Sequence, residues 1–545
     1  MLQYITHGRG KHSISPIFVQ FDENSAAYGK NCRTHLKIVC RKAKKVPFPT
    51  FTIAITGISF IIIVFDYYKK VKRIMSSLKE NKMGVLPMGR LLLGMALPMA
   101  LSMLVQAFYN VVDSVFVSRI SDANNYAFTA VSLAFPVQNI MIGIATGVAV
   151  GVNALLSRAL GEKNQEEVNS SALNGLVLSA CGMLLCVLFG IFGAEPYMRS
   201  LTPQPETVAY GVDYIRVICI ASFGIFGEVL FERLLQSTGR TTYTMITQGT
   251  GAIINIILDP ILIFGYFGLP RMEVTGAAVA TVIGQIVAFF LAVLLNKKKN
   301  TDVHLSLKGF RPSGKMIGRI LGIGVPSMLM IAIGSLMTYS FNLVLDRFND
   351  PLTQSMLGET GKTVFGAYFK LQSFIFMPVF GINNAVLAIS AYNYGARKPE
   401  RITSVIKYGI LGATAMMLLG TVLFLAFPDV LLDFFNPDAE TLAVGEPALR
   451  IMCIPFLAAG VCIIFNGVYQ GLGKSQYSMY VSMTRQLIVL IPVAYLLSLS
   501  GSMDAVWFAF PIAEVASLAL SILLMLRLYR KKIRPLSAEK NAETT

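Results

Sequence analysis

Tyr214-Ile-Arg-Val-Ile-Cys-Ile-Ala-Ser-Phe-Gly224, followed by Leu234-Leu-Gln-Ser-Thr-Gly-Arg-Thr-Thr-Tyr-Thr-Met245, is the stretch that decides the fold. It returns without a gap, 234 residues later, as Ala448-Leu-Arg-Ile-Met-Cys-Ile-Pro-Phe-Leu-Ala458 and Val468-Tyr-Gln-Gly-Leu-Gly-Lys-Ser-Gln-Tyr-Ser-Met479. Arg216 falls on Arg450, Cys219 on Cys453, Gln236 on Gln470, Gly239 on Gly473 and Tyr243 on Tyr477. The same shift lays Gly161-Glu-Lys-Asn-Gln-Glu-Glu-Val168 on Gly395-Ala-Arg-Lys-Pro-Glu-Arg-Ile402. Pro98 and Pro326 sit alike in the first apolar run of each copy. A chain that repeats itself over this length is built of two like halves.

Composition says what solvent those halves live in. Of 545 residues, 54% are hydrophobic and 14% charged, and the mean hydropathy is +0.60. Soluble domains carry nearer ~25% charged residues, so this chain cannot cover its own surface in water. The bilayer reading excludes disulfide scaffolds, DNA-binding modules and disordered chains. The net charge of +17, from 47 Lys and Arg against 30 Asp and Glu, would otherwise hint at nucleic acid; here the basic residues sit between apolar runs and read out topology. Five of seven Cys lie inside apolar runs, where Cys packs as a small hydrophobe.

Apolar stretches long enough to cross ~30 Å of hydrocarbon predict helices near 90–117, 126–156, 167–193, 207–236, 242–266, 274–296, 317–346, 362–391, 402–427, 442–470, 476–498 and 504–528. Continuous rather than alternating apolar character favours helices over a barrel. The expected fold is therefore all-α and polytopic, with twelve transmembrane helices in two pseudo-symmetric six-helix lobes: 86–300 the N-lobe, 301–314 a loop between lobes, 315–530 the C-lobe and 531–545 a tail. Five alternate connections hold fifteen Lys and Arg, and the others hold five: Arg119, Arg199, Arg271, Arg347 and Lys362. That bias puts the first set, and both ends of the bundle, in the cytoplasm. Residues 1–85 read as an extension outside the core, since the apolar run 51–65 is short for a span. Six helices per half give both halves one orientation, related by an axis along the membrane normal, as in alternating-access transporters.

Charges inside the spans need a reason, at ~2.5–3.5 kcal/mol each. The N-terminal half has four acids there: Asp113, Glu228, Glu232 and Asp259. Glu228 and Glu232 are four apart and share a helical face, as do Asn255 and Asp259. The oxygens of Asn255 and Asp259 can converge on one small hard cation, and the same carboxylates can carry protons. The alternative is that Arg216 and Arg233 merely neutralise these acids. The second half lacks them and offers Lys370, Asn383, Asn384, Asn393, Arg485 and Glu514; Lys370 could pair with an acid across the cleft or line the route, and the alternative is that all six make local polar contacts. All four His lie outside the spans, and no phosphate-binding GxxxxGK[ST] loop occurs; no enzyme, cofactor or direct ATP drive is expected.

Taken together, Pro98, Gln106, Asn110-Val-Val-Asp113, Gly161-Glu-Lys, Gln236-Ser-Thr-Gly-Arg240, Asn255-Ile-Ile-Leu-Asp-Pro260 and Gly276-Ala-Ala-Val-Ala-Thr281 resemble the MATE (multidrug and toxic compound extrusion) family over about residues 88–530, within its DinF-type group, and Phe231-Glu-Arg233 resembles the MepA-like branch. The resemblance implies an antiporter in the plasma membrane of a bacterium. It would be monomeric and would export organic cations or other amphipathic drugs in exchange for Na⁺ or H⁺. Carried over, the coupling cation site is Asp113, Asn255, Asp259 and Thr281, and the substrate site is Glu232, Asp259, Asp113, Gln106, Asn110 and Glu228. A family branch with coupling acids in the second lobe finds only Asn342 and Asn466 here. The rival reading is a flippase for lipid-linked saccharides on a related scaffold, which should need more cations facing the cleft. A membrane-embedded transferase would need a larger outer loop than 347–361.

Overall fold

The computed structural model describes residues 81–117, 119–120, 126–306, 309–350, 355–435 and 438–536; the apolar run 51–65 and the end of the tail lie outside them. Among the described residues, ten helices are long and apolar enough to span a bilayer, and two more spans are bent pairs. In chain order α1 is Met88–Val117, α2 Tyr126–Gly161 and α3 Gln165–Leu188, which runs on through a wide turn to Leu201. Next, α4 is Pro205–Ile220 bent by 45° into Phe223–Ser237, α5 is Thr241–Phe264 and α6 Glu273–Lys299. The second half has α7 Gly314–Leu345, α8 Leu357–Gly395, α9 Pro399–Ala426 and α10 Ala439–Met452, bent by 53° into Phe456–Gly471. Last come α11, Ser475–Met483 and Leu490–Ser498 around a wide turn, and α12, Met503–Trp507 and Ala509–Leu528.

The bends are where the repeat is most alike. Pro455 has no N–H to give the helix ladder and breaks α10. The equivalent Ala221 keeps its N–H bonded to Val217, yet the chain bends at the same place. The sequence pattern read each as one straight helix. Proline explains the second break, and nothing in the composition of the first copy announces it.

The lobes exchange their first helices. Leu91, Leu92, Met95 and Met99 of α1 pack in the same core as α8, α9 and α10, whereas Val117 at the far end of α1 joins the core of α2 and α4. Reciprocally, Met316, Ile320 and Ile323 of α7 pack with α2, α3 and α4, while Phe341 and Leu345 return to the C-lobe core. Pro98 and Pro326 stand inside these two crossing helices.

Small residues make the crossing close. A Cβ on Gly147 of α2 would lie 2.8 Å from the Gly324 carbonyl of α7. Its repeat partner Gly381 of α8 would put one 2.6 Å from Cα of Ala100 in α1. At the end carrying most of the basic loops, Gly161 abuts the Tyr392 carbonyl and Gly395 abuts the Arg158 carbonyl. Arg158 and Tyr392 are themselves 234 apart, so the pseudo-symmetry axis runs between Gly161 and Gly395. Toward the other end the same faces open. On α2, Thr129, Pro136 and Ile140 are exposed in register with buried Gly147 and Gly151. On α8, Thr363, Gly366 and Lys370 are exposed in register with buried Gly381 and Ala388. The lobes are therefore joined at the basic end and part toward the opposite end, leaving a cleft.

Residues 81–86 strap the joined end. Asn81 Nδ2 donates to the Thr238 carbonyl of the N-lobe. Buried Met83 offers its carbonyl to Asn393 Nδ2 and Arg401 Nη2 of the C-lobe, Lys398 Nζ donates to the Gly84 carbonyl, and Arg401 Nη2 also donates to the Leu86 carbonyl. For Asn393 this is a local polar contact, as the sequence reading allowed.

Candidate cation site in the first lobe

α5 and α6 pack side by side, and α1 lies against α5. Asn255 and Asp259 stand one turn apart on α5, facing Thr281 of α6. Asn255 Nδ2 donates to Asp259 Oδ1 and to Thr281 Oγ1, each at 3.2 Å. Both Asn255 and Asp259 are buried, at 3% and 0% exposure. Using its donor on both neighbours turns the amide oxygen of Asn255 away, and that oxygen has no hydrogen-bond partner. The same holds for Asp259 Oδ2 and for Asp113 Oδ1 of α1. The charges of Asp113 and Asp259 interact. Three acceptor oxygens are thus left without protein donors around one pair of carboxylates. Buried polar atoms are nearly always partnered, and oxygen donors without protons suit hard cations or a proton.

Glu232 and Glu228 on α4 form the neighbouring group, with mutually interacting charges. Glu232, 3% exposed, accepts from Thr247 Oγ1 and from Gln248 Nε2, the latter at 2.8 Å. Two neutral donors hold this carboxylate without cancelling its charge. Arg216 pairs with Glu195 at 3.7 Å; Arg233 Nη1 donates to Gln236 at 2.7 Å, while its charge also acts on the neighbouring Glu232 carboxylate.

Sequence reasoning missed two tyrosines. Tyr109 shares a side-chain hydrogen bond with Gln106 and lies within electrostatic reach of Glu228, Asp113 and Asp259. Tyr214 lies within reach of Asp113 and Asp259 and donates to Gln138 Oε1 at 3.4 Å. Thr247 and Gln248 were also missed. The only available signal was spacing: Thr247 and Gln248 fall about two turns before Asn255 on α5. The side chain of Asn110 lies outside the described residues.

The C-lobe differs. Its buried acid Glu514 accepts from Ser517 at 3.4 Å and pairs with Arg485 at 3.5 Å. Arg485 projects from the wide turn Thr484–Val489 in α11.

Comparison with known proteins places the chain. The MatE family model matches residues 98–261 and 326–496, one block in each half and more than half of the chain together. This chain belongs to the MatE family. It is 25% identical over 449 residues to the multidrug export protein MepA of Staphylococcus saprophyticus subsp. saprophyticus, spanning 82% of this chain and 94% of that protein. With the multidrug export protein MepA of Staphylococcus haemolyticus it shares 26% over 439 residues, 79% of this chain and 92% of the other. A crystal structure of a MATE protein in complex with MaL6 superposes with a TM-score of 0.77 at 24% identity, over 85% of this chain and all of that one. The two-lobed, twelve-helix fold expected from the repeat is the fold of this MatE protein.

Proposed function

We propose that this MatE protein is a secondary antiporter that exports amphipathic organic cations in exchange for Na⁺ or H⁺. It works as a monomer in the plasma membrane of a bacterium, with the strapped, basic end in the cytoplasm and the cleft open outward. The observation that carries this reading is the group of unpartnered oxygens on Asp113, Asn255 and Asp259, beside a Glu232 carboxylate held by the neutral donors Thr247 and Gln248. The names of the staphylococcal relatives support the cargo class, and the excess of Lys and Arg in the loops at one end supports the orientation.

The chemistry is competition for negative charge. A cationic cargo is held by Glu232, Asp259 and Asp113, with Gln106 and Glu228 in the same wall. Arrival of the coupling cation at Asp113, Asn255, Asp259 and Thr281 cancels that charge, so cargo and ion exclude one another. An inside-negative potential opposes outward movement of a cation by ~2.3 kcal/mol per charge per 100 mV and favours inward movement of the coupling cation equally, so a one-for-one exchange of single charges is driven by the concentration gradient of the ion. No bond is made or broken, and the chain acts by geometry and charge alone.

The test is dye efflux from proteoliposomes under an imposed Na⁺ gradient and, separately, an imposed H⁺ gradient. Acceleration by one gradient identifies the ion. Efflux indifferent to both would remove the antiport reading.

A further inference from the structure

Lys370 is a cation that the reading above leaves without a task. It lies about 20 Å along α8 from Leu357, where a charge in a bilayer helix is costly. Its direction follows from helix geometry. Gly381 closes α8 onto Ala100 of α1, and residues seven and eleven positions earlier return to within about 20° of the same face. The first is Phe374, which still reaches α1 edge-on at Phe108, with ring centroids 5.8 Å apart. The second is Lys370, which is exposed. One turn beyond the Phe374–Phe108 contact, Lys370 therefore stands on the C-lobe wall of the cleft, on the face of α8 that carries Gly381 and Phe374. Its repeat counterpart on the N-lobe wall is Pro136, exposed in the same register. The ring of Phe435 lies 5.9 Å from Nζ, and among the described residues Lys370 joins no salt bridge.

The N-lobe thus holds a buried carboxylate group, and an ammonium without a salt bridge stands on the C-lobe wall of the cleft. We propose that Lys370 receives an anionic group, such as a carboxylate, on the exported molecule, so that the cleft carries zwitterionic amphiphiles with their cationic end toward Asp113 and Asp259. This rests on the export reading and deepens it by naming a second recognition point. An ammonium meeting a carboxylate makes a charge-assisted hydrogen bond, stronger than a neutral one. A monocationic cargo gains nothing from Lys370.

Rhodamine 123, a monocationic methyl ester, and rhodamine 110, the same dye with a free carboxylate, differ in the group at issue. The wild type is expected to export both. Lys370→Gln should slow rhodamine 110 efflux about tenfold while rhodamine 123 stays within about twofold of wild type, and Lys370→Arg should restore rhodamine 110. Retained rhodamine 123 export by the Gln variant checks its folding in the same sample. Equal loss of both dyes, unchanged rhodamine 110 efflux, or a wild type that carries only rhodamine 123 overturns the assignment. A wild type that exports neither dye removes the export reading beneath it as well.

Discussion

The two lobes share a backbone plan and differ in charge. Gly147 and Gly381, 234 residues apart, each close a second helix of one lobe onto the first helix of the other. Gly161 and Gly395 meet across the axis in the same reciprocal way. Yet where the N-lobe has Glu228, Glu232, Asn255 and Asp259, the same shift gives Cys462, Asn466, Val489 and Val493. The C-lobe acid, Glu514, falls on Ala280 and is matched by Arg485, which falls on Gly251. Packing that joins the lobes must work from both sides, so both copies keep it. A coupling site needs to exist only once, and a second uncompensated acid cluster would add desolvation cost without adding a binding event.

The comparison breaks most directly at Asp259. Asp259→Asn keeps the shape and removes the charge, and should lower ion-driven efflux about 10- to 100-fold with an unchanged size-exclusion profile. Glu514→Gln should do the reverse. It strands Arg485 without its partner, a loss of about 3–5 kcal/mol for a fully buried pair and less here because the Arg485 side chain is 30% exposed. The expected result is a lower melting temperature in detergent with coupling intact in the protein that survives. Wild-type coupling in the Asn variant, or lost coupling in a stable Gln variant, would mean that the ion site is not confined to the first lobe.

The shared packing makes a symmetric prediction of smaller size. Gly147→Val and Gly381→Val each overfill one of the two equivalent crossings, at about 1–3 kcal/mol, and should weaken closure at the basic end by similar amounts. A Thr129→Cys reporter on the exposed face of α2, without Cys181, reads this with an impermeant maleimide added outside. Labelling should fall in both variants. A fall in only one would show that the two crossings do not behave as a pseudo-symmetric pair.

Much of this was legible in the sequence, for reasons tied to particular residues. Twelve spans follow from apolar length, and the halves follow from Tyr214–Met245 returning at Ala448–Met479. Asn255 and Asp259 could be paired because four residues is one helical turn. The exchange of α1 and α7 between cores was hidden, because Leu91 and Ile320 are equally apolar whichever lobe they enter. Tyr109 and Tyr214 were hidden because an aromatic in a span reads as packing until its acid neighbours are placed. The strap was hidden for another reason: residues 81–86 use backbone carbonyls, which every sequence has.

The strap joins the lobes through backbone carbonyls, and it carries the smallest expected effect. Lys82 packs its Cε 2.9 Å from where a Cβ on Gly239 would lie. Burial, with the nearby Arg240 guanidinium, pulls its ammonium from the ordinary 10.5 down to about 8. The docked strap therefore releases its proton more readily than a free one. Docking binds fewer protons between pH 8 and 10.5, so it strengthens as pH rises through that window and weakens as pH falls back toward 8. Proteolytic cutting within residues 81–87 should slow from pH 8 to pH 9.5 in the wild type. Lys82→Met carries no titrating group there and should lose that pH dependence. Identical pH profiles for the two proteins would mean that Lys82 does not set how firmly the strap holds the lobes together.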